Sequence, residues 1–456
     1  MTVIVESLDQ EGRGVARELD QAGGQAGGKV VFIEGALPGE IVSYIPLRNK
    51  KNFALARLDR TYKTSGARVD PSCPSFGVCG GCSLQHLEPR AQVAVKQRIL
   101  EETLWHIGKI KAETLLPPIY GPSWGYRQRA RFSVRYVARK GRALVGFHEK
   151  NSRYIADMTS CPVLPRRASE LLAPLQALVT ALSIKSRVPQ IELSIGEENL
   201  VLVMRILEAL TADDESLIRR FAELHGVVVF LQPRGPGSAF QFHPAQAVTL
   251  EYRLPEFDLR MPFHPTDFTQ VNHAINRVLV RRAVSLLAPA EGDSIADLFC
   301  GLGNFTLAIA RRGANVIGID CSEALVRRAR ENAAYNALAQ KARFLQADLF
   351  AISAIKLATE LAGFGRFDKL LMDPPRDGAV AVVKALGEEM ELPRRIVYVS
   401  CNPATLARDA ALLTQVKRYR LTTAGVINMF PHTSHVESIA LFELARGVSQ
   451  MVEANG

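Results

Sequence analysis

Five short apolar stretches alternate with longer amphipathic ones between residues 294 and 400, and this alternation constrains the fold more than any other feature. Strands that alternate with helices at this spacing form a parallel sheet with helices on both faces. The sequence therefore predicts an α/β multidomain protein whose C-terminal domain is Rossmann-like and doubly wound. The predicted strands are Ser294–Phe299, Asn315–Asp320, Arg343–Gln346, Phe367–Met372 and Arg395–Ser400, and one predicted helix is Ser322–Tyr335.

A glycine-bearing loop within residues 297–306 connects the first predicted strand to a helix. Glycines let the backbone approach a ligand, and the start of a helix offers free N–H groups to an anion. Thr306 stands where the dinucleotide fingerprint has its third glycine, which disfavours pyrophosphate and favours a cofactor with a small carboxylate. Asp320 can accept both ribose hydroxyls, and Asp348 can meet an adenine amino group. This set fits S-adenosylmethionine; a nucleotide, or no ligand, is the alternative.

Three short motifs lie at the ends of later strands or beyond them: Asp373–Arg376, Ser400–Pro403 and His435–Ser438. Carbon 5 of uracil becomes nucleophilic once a thiolate has added to carbon 6, and a base must then remove the carbon 5 proton. Cys401 and Glu437 can supply that thiolate and that base. Taken singly, each has an ordinary alternative, a packed cysteine or a surface glutamate. Their combination in this order favours the chemistry.

The first 65 residues have the pattern of a small β-barrel. Short stretches of alternating apolar residues are separated by glycine-bearing turns, one of them at residues 22–28. Five-stranded barrels of this kind bind nucleic acids. The predicted strands are Val3–Ser7, Lys29–Ile33, Glu40–Ile45 and Phe53–Leu58.

Basic residues are concentrated in two places, and the net charge of the chain is +10. Residues 41–68 hold seven Lys and Arg against one acid, and residues 123–153 hold nine against one. Aromatic residues such as Tyr62 and Tyr126 lie among them. A solvated charged face is the alternative, but the pattern favours a groove that neutralises phosphates and stacks bases.

Four cysteines in the first half of the chain form a group of their own: Cys73, Cys79, Cys82 and Cys161, the last followed by proline. In a reducing cytosol such a set indicates a metal site and not disulfides. Four thiolates suit a [4Fe-4S] cluster, and an all-cysteine zinc site has the same ligands. The spacing differs from that of radical enzymes, so we expect no radical chemistry.

The middle of the chain has the pattern of a mixed α/β region, preceded by an amphipathic helix around residues 92–107. Length suggests about three domains, which we predict at residues 1–65, 66–265 and 266–456. No apolar run reaches the ~20 residues that span a bilayer, and the first residues lack a secretory signal. We therefore expect a cytoplasmic protein without a membrane partner. The predicted strands are Ala130–Val137, Ala143–His148, Gln190–Ile195, Leu200–Ile206 and Val227–Gln232, with helices at 166–182 and 213–225.

The motifs together resemble the uridine-5 RNA methyltransferases, specifically the 23S ribosomal RNA enzymes that carry a TRAM domain and an iron–sulfur cluster. The TRAM domain is an RNA-binding barrel. The resemblance runs nearly the whole length and is weakest over residues 165–255. The matching segments are Gly28–Glu40 for the TRAM domain and Phe268–Asn272, Asp297–Asn304, Leu371–Arg376, Tyr398–Asp409 and Met429–Glu437 for the catalytic domain.

The resemblance implies an enzyme that methylates carbon 5 of a uridine in 23S ribosomal RNA, naked or partly assembled; we expect a monomer. It implies Cys401 as the nucleophile and Glu437 as the base, with Asp373 also bonded to the uracil edge. It implies a structural [4Fe-4S] cluster on the four cysteines, and it gives Arg376 no role. The residues implied to line the cofactor and uracil pockets are Gln270, Phe299, Asn304, Asp320, Asp348 and Asp373.

Three alternatives remain. The first is the same reaction on transfer RNA. The second is a non-catalytic RNA-binding factor of ribosome assembly that keeps the fold, which the intact Cys401 and Glu437 disfavour. The third is a nucleotide-dependent redox protein that uses the cluster, which the missing third glycine disfavours.

Overall fold

The computed structural model describes residues 2–18, 28–362 and 367–445. Most of the predicted turn at residues 22–28 lies outside this part of the chain, as do residues 446–456 of the third predicted domain. Within the described ranges, no helix is both long enough and apolar enough to cross a membrane.

The N-terminal strands form a closed barrel, as predicted. They are β1 Thr2–Leu8, β2 Gly14–Arg17, β3 Val30–Glu34, β4 Ile41–Asn49 and β5 Phe53–Lys63. Around the barrel their order is β1-β2-β3-β5-β4. Side chains alternate between the two faces of a strand, so Val3 and Val5 are buried inside the barrel while Ile4 is exposed.

The central region contains a six-stranded mixed sheet. Before it come α1 at Pro89–His106 and β6 at Thr114–Leu115. Its elements are β7 Arg129–Val137, β8 Arg142–Gly146, α2 Arg166–Ser169, α3 Leu172–Ala181, β9 Gln190–Ile195, β10 Leu200–Arg205, α4 Ala212–His225, β11 Val228–Gln232 and β12 Phe240–His243. The strand order is β12-β11-β10-β9-β7-β8. A hairpin of β13 Leu250–Leu254 and β14 Leu259–Phe263 leads out of the region.

The helix predicted at residues 166–182 is two helices, α2 and α3, and Pro174 explains the break. Proline has no N–H to donate to the carbonyl four residues earlier, here that of Glu170, and its ring clashes with that carbonyl in a continuous helix. The chain starts a new helix at Leu172, which puts Pro174 in the first turn, where its missing N–H costs little.

The C-terminal region contains the doubly wound sheet. Its elements are α5 His273–Leu287, β15 Ser294–Leu298, α6 Thr306–Ala310, β16 Asn315–Asp320, α7 Glu323–Tyr335, β17 Ala342–Gln346, α8 Ala354–Ala362, β18 Lys369–Met372, α9 Val380–Ala385, β19 Arg395–Ser400, α10 Pro403–Gln415, β20 Tyr419–Ile427 and β21 Glu437–Leu444. The strand order is β17-β16-β15-β18-β19-β21-β20-β6. Strands β15 to β19 are parallel, and β21 runs antiparallel to both of its neighbours. The predicted parallel sheet is present, extended by an antiparallel part.

Helix α1 and strand β6 pack on the C-terminal sheet, although they precede the central region in sequence. Strand β6 pairs in parallel with β20 at the edge of the sheet. The buried side chains of Ile99, Leu100 and Leu104 on α1 belong to the apolar core of that sheet. The predicted domain bounds remain predictions, and this segment from the second predicted domain contributes to the structure of the third.

Candidate active site

A cavity of about 390 Å³ lies at the carboxyl ends of β15, β16, β18 and β19, where a doubly wound sheet places its ligand site. Seven predicted site residues line it, most of them from the loops that follow the parallel strands, with Gln270 from the segment before α5 and Glu437 from the antiparallel β21. Asp348 is the exception: it is exposed and absent from the lining, and its carboxylate accepts the Phe350 N–H at 2.9 Å. The seven are Gln270, Phe299, Asn304, Asp320, Asp373, Cys401 and Glu437.

The carboxylate of Asp320 fixes the glycine loop. One oxygen accepts the Gly301 N–H at 3.0 Å, and the other accepts the Ser322 N–H at 2.9 Å, where α7 begins. Gly301 and Gly303 have φ angles of +55° and +92°, a region that glycine enters without strain. Each carboxylate oxygen keeps further acceptor capacity, so Asp320 can still accept ribose hydroxyls.

Asn304 is held by two side chains that the sequence pattern did not identify. Its amide exchanges two hydrogen bonds with that of Asn276 on α5, both at 3.0 Å, and its oxygen accepts the Tyr252 hydroxyl at 2.9 Å. Tyr252 lies on the β13–β14 hairpin and also lines the cavity. These contacts join residues 28 and 52 positions apart, a separation at which local patterns carry no signal.

Asp297 on β15 is fully buried beneath the glycine loop. The Thr306 hydroxyl donates to one of its oxygens at 2.5 Å, while the other has no hydrogen-bond partner within the described residues. Burial raises the pKa of Asp297 to about 7, and the negative charges of Asp373 and Asp320 add to the rise. A buried carboxyl needs a donor, which gives a physical reason for threonine at the third-glycine position.

Cys401 and Glu437 meet because β19 and β21 pair in a fixed register. Ser400 is opposite Ser438 in this ladder. Cys401 follows the last residue of β19 and Glu437 begins β21, so both lie at the same end of the pair. Asn402 turns the chain directly after the cysteine, because its side chain caps α10 by accepting the Ala404 N–H at 3.0 Å.

The acidic groups at this end of the cavity have raised pKa values. Burial and the negative charges of Glu437 and Asp373 raise the pKa of Cys401 to about 12. Burial and the charge of Asp373 raise the pKa of Glu437 to about 8, and burial raises that of Asp373 to about 7. This end of the cavity therefore favours a cation, since an entering positive charge stabilises a thiolate and carboxylates.

Arg376 and His435 line the cavity as well, although the sequence analysis gave Arg376 no role. The Arg376 guanidinium donates to His435 Nδ1 at 3.1 Å. Burial and the charge of Arg376 lower the pKa of His435 to about 4, so the neutral ring accepts this bond. The Arg376 carbonyl accepts from the Asn402 amide at 3.1 Å and from the Thr405 hydroxyl at 3.2 Å. The sequence feature that could have identified Arg376 as a cavity residue is its position directly after Asp373-Pro-Pro.

The four predicted metal ligands line a second cavity, of about 340 Å³. Burial and the negative charge of neighbouring cysteines raise the pKa of Cys82 to about 11 and that of Cys161 to about 12. Thiols that raise one another's pKa in this way suit a soft cationic centre. In the described ranges, however, no group of three or more His, Cys, Asp or Glu side chains is arranged as a metal site. The cluster on Cys73, Cys79, Cys82 and Cys161 therefore stays a prediction.

The two cavities are neighbours. Arg376, Phe430 and His435 line both of them. The backbone N–H groups of Ser83 and Leu84 donate to the His432 carbonyl, both at 2.9 Å. The chain directly after Cys82 thus packs against the segment that leads into Glu437.

Comparison with known proteins identifies the family. The sequence model of the tRNA (Uracil-5-)-methyltransferase family matches residues 91–445, and that of the TRAM domain matches residues 1–57. The chain belongs to this uracil-5 methyltransferase family. The predictions of an N-terminal TRAM barrel and of an S-adenosylmethionine-dependent uracil-5 methyltransferase are confirmed.

The uracil-5 methyltransferase is similar over its length to several named relatives. A protein of Nitrosospira multiformis, 23S rRNA (uracil(1939)-C(5))-methyltransferase RlmD, is 59% identical over 444 residues, which cover 97% of this chain and 98% of the relative. A protein of the same name from Dechloromonas aromatica is 56% identical, over 96% of this chain and 99% of the relative. Among solved structures, the tRNA (uracil-54, C5)-methyltransferase of Pyrococcus abyssi, in complex with S-adenosyl-L-homocysteine, has a TM-score of 0.72 at 25% identity, covering 97% of this chain and 100% of that one.

Proposed function

We propose that this enzyme transfers a methyl group from S-adenosylmethionine to carbon 5 of a uridine in 23S ribosomal RNA, with Cys401 as nucleophile and Glu437 as base. The pairing of β19 with β21 carries the proposal, because it sets a thiol and a carboxyl together at the wall of one cavity. The relatives at 59% and 56% identity, both named 23S rRNA (uracil(1939)-C(5))-methyltransferase RlmD, support ribosomal RNA as the substrate.

The reaction begins when the sulfur of Cys401, as a thiolate, bonds to carbon 6 of the uracil ring. The electron pair of the C5=C6 bond forms a C4=C5 bond, and the carbonyl pair at carbon 4 moves onto its oxygen, which gives an enolate. Carbon 5 then bonds to the methyl carbon while the bond between that carbon and the donor sulfur breaks. Glu437 takes the carbon 5 proton, the C–H electron pair restores the C5=C6 bond, and the thiolate leaves carbon 6. The products are 5-methyluridine, S-adenosylhomocysteine and a proton on Glu437.

The raised pKa values of Cys401 and Glu437 suggest an order in which the methyl donor binds before the thiolate forms. Without ligands at neutral pH, Cys401 is a thiol and Glu437 is largely protonated, because their pKa values are about 12 and about 8. The sulfonium of the methyl donor adds a positive charge to this end of the cavity, which favours both the thiolate and the carboxylate. We expect the nucleophile to form only after the methyl donor has bound.

The other cavity residues orient the two substrates. Asp320 accepts the ribose hydroxyls of the donor, and the N–H groups of the glycine loop meet its carboxylate. Asp373 bonds to the uracil edge, and its pKa of about 7 lets it donate or accept near neutral pH. Gln270, Phe299 and Asn304 complete the walls.

The barrel and the central region bind the RNA. In the barrel, basic side chains are exposed on β4, on β5 and in the turn between them, namely Arg48, Lys50, Lys51, Arg57, Arg60 and Lys63. In the central region part of the basic stretch is paired, since Lys140 and Arg142 lie 2.6 Å and 2.8 Å from Asp157. Exposed positive charge neutralises phosphates without reading sequence. The target uridine must leave its stack to reach Cys401.

The proposal includes a [4Fe-4S] cluster on Cys73, Cys79, Cys82 and Cys161, with zinc as the alternative. Its role is structural, joining the loop at residues 73–82 to the chain near Cys161, because the methyl transfer needs no electron. Iron and acid-labile sulfide in protein purified without oxygen would support the cluster. Zinc without iron would replace it by the all-cysteine zinc site.

Transfer RNA is the second candidate substrate. The fold similarity to the Pyrococcus abyssi tRNA (uracil-54, C5)-methyltransferase supports it, and so does the matching family model. The chemistry at Cys401 would be unchanged, and the two candidates differ only in the RNA that is bound.

A trapping experiment tests the proposal. Wild-type protein and Cys401→Ala are incubated with labelled S-adenosylmethionine and 5-fluorouridine-substituted 23S ribosomal RNA or transfer RNA. Fluorine at carbon 5 cannot leave as a proton, so the thiolate mechanism stalls as a covalent complex that resists denaturation. We expect that complex with wild type and ribosomal RNA only. A covalent complex with transfer RNA alone would make transfer RNA the substrate. The absence of a complex with either RNA would overturn the Cys401 mechanism.

A further inference from the structure

Helix α1 carries a lysine whose side chain has no exposed surface, Lys96. An ammonium group is costly to bury unless polar partners compensate for the lost water. A lysine in this state therefore needs a structural or chemical reason. The sequence around Lys96 gives no sign of this burial, because a lysine within an amphipathic helix is normally solvated.

The Lys96 ammonium binds the segment that leads into Glu437. It donates to Asn428 Oδ1 at 2.8 Å and to the Phe430 carbonyl at 2.9 Å. This segment runs from the end of β20 at Ile427 to the start of β21 at Glu437. Lys96 thus connects the N-terminal half of the chain to the strand that presents the proposed base.

Gln92, one helical turn before Lys96, holds the same segment. Its amide nitrogen lies 3.2 Å from His432 Nδ1, and its amide oxygen accepts the His432 N–H at 2.8 Å. Residues four apart lie on one face of a helix. One face of α1 therefore clamps residues 428–432 at two points, and of the two clamping side chains only that of Lys96 can carry a charge.

Lys96 and Glu437 influence each other's ionisation. Burial lowers the pKa of Lys96 to about 7, and the charge of Glu437 opposes this change. Burial and Asp373 raise the pKa of Glu437 to about 8, and the charges of Lys96 and Arg376 oppose that rise. Each of the two residues therefore favours the charged form of the other.

The remaining charged and titratable groups around Glu437 come from two loops and its own segment. Asp373 and Arg376 face it from the loop after β18, and Cys401 from the loop after β19. His432 and His435 precede it and are neutral near pH 7, because burial lowers the pKa of each to about 4. Arg376 is exposed, so water screens its charge, whereas the amino group of Lys96 is buried away from water.

Resting on the proposed function, we propose that Lys96 is a positioning residue for Glu437. Its buried side chain fixes residues 428–430 through Asn428 and the Phe430 carbonyl, and its positive charge favours the carboxylate form of Glu437 that removes the carbon 5 proton. The methyltransferase domain is then incomplete without helix α1, although α1 lies before the central region in the chain.

The test is the pH profile of proton removal in Lys96→Met, which keeps an unbranched side chain one atom shorter than that of lysine, without its charge. Release of tritium from ribosomal RNA labelled at carbon 5 of uridine is measured from pH 6 to pH 9.5. Removing an opposite charge should move the acid limb to higher pH by about one unit. At pH 7 release should fall about tenfold and the covalent protein–RNA complex should accumulate, with recovery near pH 9.

Asn428→Ala is the matched control, because it removes a hydrogen-bond partner of Lys96 and leaves the charge. It should lower the rate at every pH without moving the limb. An unmoved limb in a folded Lys96→Met protein that binds S-adenosylhomocysteine would overturn the inference. If Lys96→Met does not fold, the same pH profiles are measured for Lys96→Gln and Lys96→Arg. An acid limb that is shifted in Lys96→Gln but not in Lys96→Arg supports the inference. Acid limbs at the same pH in both variants overturn it. Wild type without tritium release would overturn the proposed function instead.

Discussion

The active-site cavity and the cysteine cavity share a wall but are built in different ways. The first is assembled at strand ends, where ladders fix the positions of Asp320, Cys401 and Glu437. The second is assembled from the coil before α1 and the coil between β8 and α2, which hold Cys73, Cys79, Cys82 and Cys161. Within the described residues these two coils pair through an isolated bridge between Cys79 and Glu149 and not through a full ladder, so their shape depends more on what their side chains bind.

Loss of a cysteine is therefore expected to have different effects in the two cavities. A cysteine at a strand end is removable without loss of the fold, because the sheet and not the thiol holds the site. Under the proposed cluster, a cysteine in the coil is a ligand, and its bond to the centre holds the site. We therefore expect changes in the active site to affect the reaction, and changes in the cysteine cavity to affect stability.

The largest effect is expected for Cys401→Ala. Without the nucleophile, methyl transfer should fall by about 10⁴-fold or more, while the melting temperature should change little. The measurement is transfer of labelled methyl groups to ribosomal RNA beside thermal unfolding. Cys321→Ala is the control, since this exposed cysteine lines the same cavity and its loss should change the rate within about twofold. Methyl transfer by Cys401→Ala at a rate close to that of wild type would contradict the role of Cys401 as nucleophile, and with it the expected difference between the two cavities.

Cys161→Ser should show the opposite pattern. Loss of one ligand should deplete bound iron and lower the free energy of unfolding by about 4 kcal/mol, because loss of a metal is among the most destabilising changes. Iron analysis and urea unfolding measure the two effects. The same substitution at exposed Cys321 should leave both unchanged. An iron-free wild type, or unchanged stability in Cys161→Ser, would show that the cysteine cavity does not depend on a bound centre.

Glu437 makes the stability of the active site depend on pH. Its pKa is raised from 4.5 to about 8 in the folded protein, so the stability it contributes is fully present below pH 4.5 and is lost as the pH rises through 8. Glu437→Gln should lack this loss and gain about 4 kcal/mol relative to wild type between pH 5 and pH 8, at about 1.36 kcal/mol for each pH unit between the two pKa values. Urea unfolding at both pH values measures the difference. A difference that does not change with pH would mean that Glu437 is ionised in the free enzyme.

Asp320→Asn sharpens the comparison within the active site itself. The amide cannot accept both the Gly301 and the Ser322 N–H groups as the carboxylate does, so the Kd for S-adenosylhomocysteine should rise about tenfold. Calorimetry measures it. Asp348→Asn is the matched control, and the exposed position of Asp348 outside the lining predicts a change within about twofold. Equal effects of both variants would return Asp348 to the cofactor site.

Sequence reasoning predicted the sheet and the strand-end residues Asp320 and Cys401 from local pattern, whereas Gln270, Phe299 and Asn304 were implied only by the family resemblance. The strands Asn315–Asp320 and Arg395–Ser400 have the predicted bounds, since a buried parallel strand is a continuous apolar run. Residues at the ends of such strands meet at one edge, which is why Asp320, Asp373 and Cys401 lie in one cavity.

What sequence reasoning missed depends on packing between distant segments. Tyr252 and Asn276 reach Asn304 only after the hairpin and α5 dock on the glycine loop. Lys96 contacts a segment 332 to 334 positions away, which no local period reveals. Asp348 was placed in the cavity because it follows a strand, but its carboxylate caps the next turn instead.

The central claim is that Cys401 and Glu437 act in turn on the same pyrimidine. It is tested most directly by mass spectrometry of the covalent complex that Glu437→Gln forms with unmodified ribosomal RNA and S-adenosylmethionine. Without the base, the ring should be methylated but not released, so the peptide containing Cys401 should carry a 5-methylated uridine. A complex on another residue, a complex without the methyl group, or full turnover by Glu437→Gln would contradict the account.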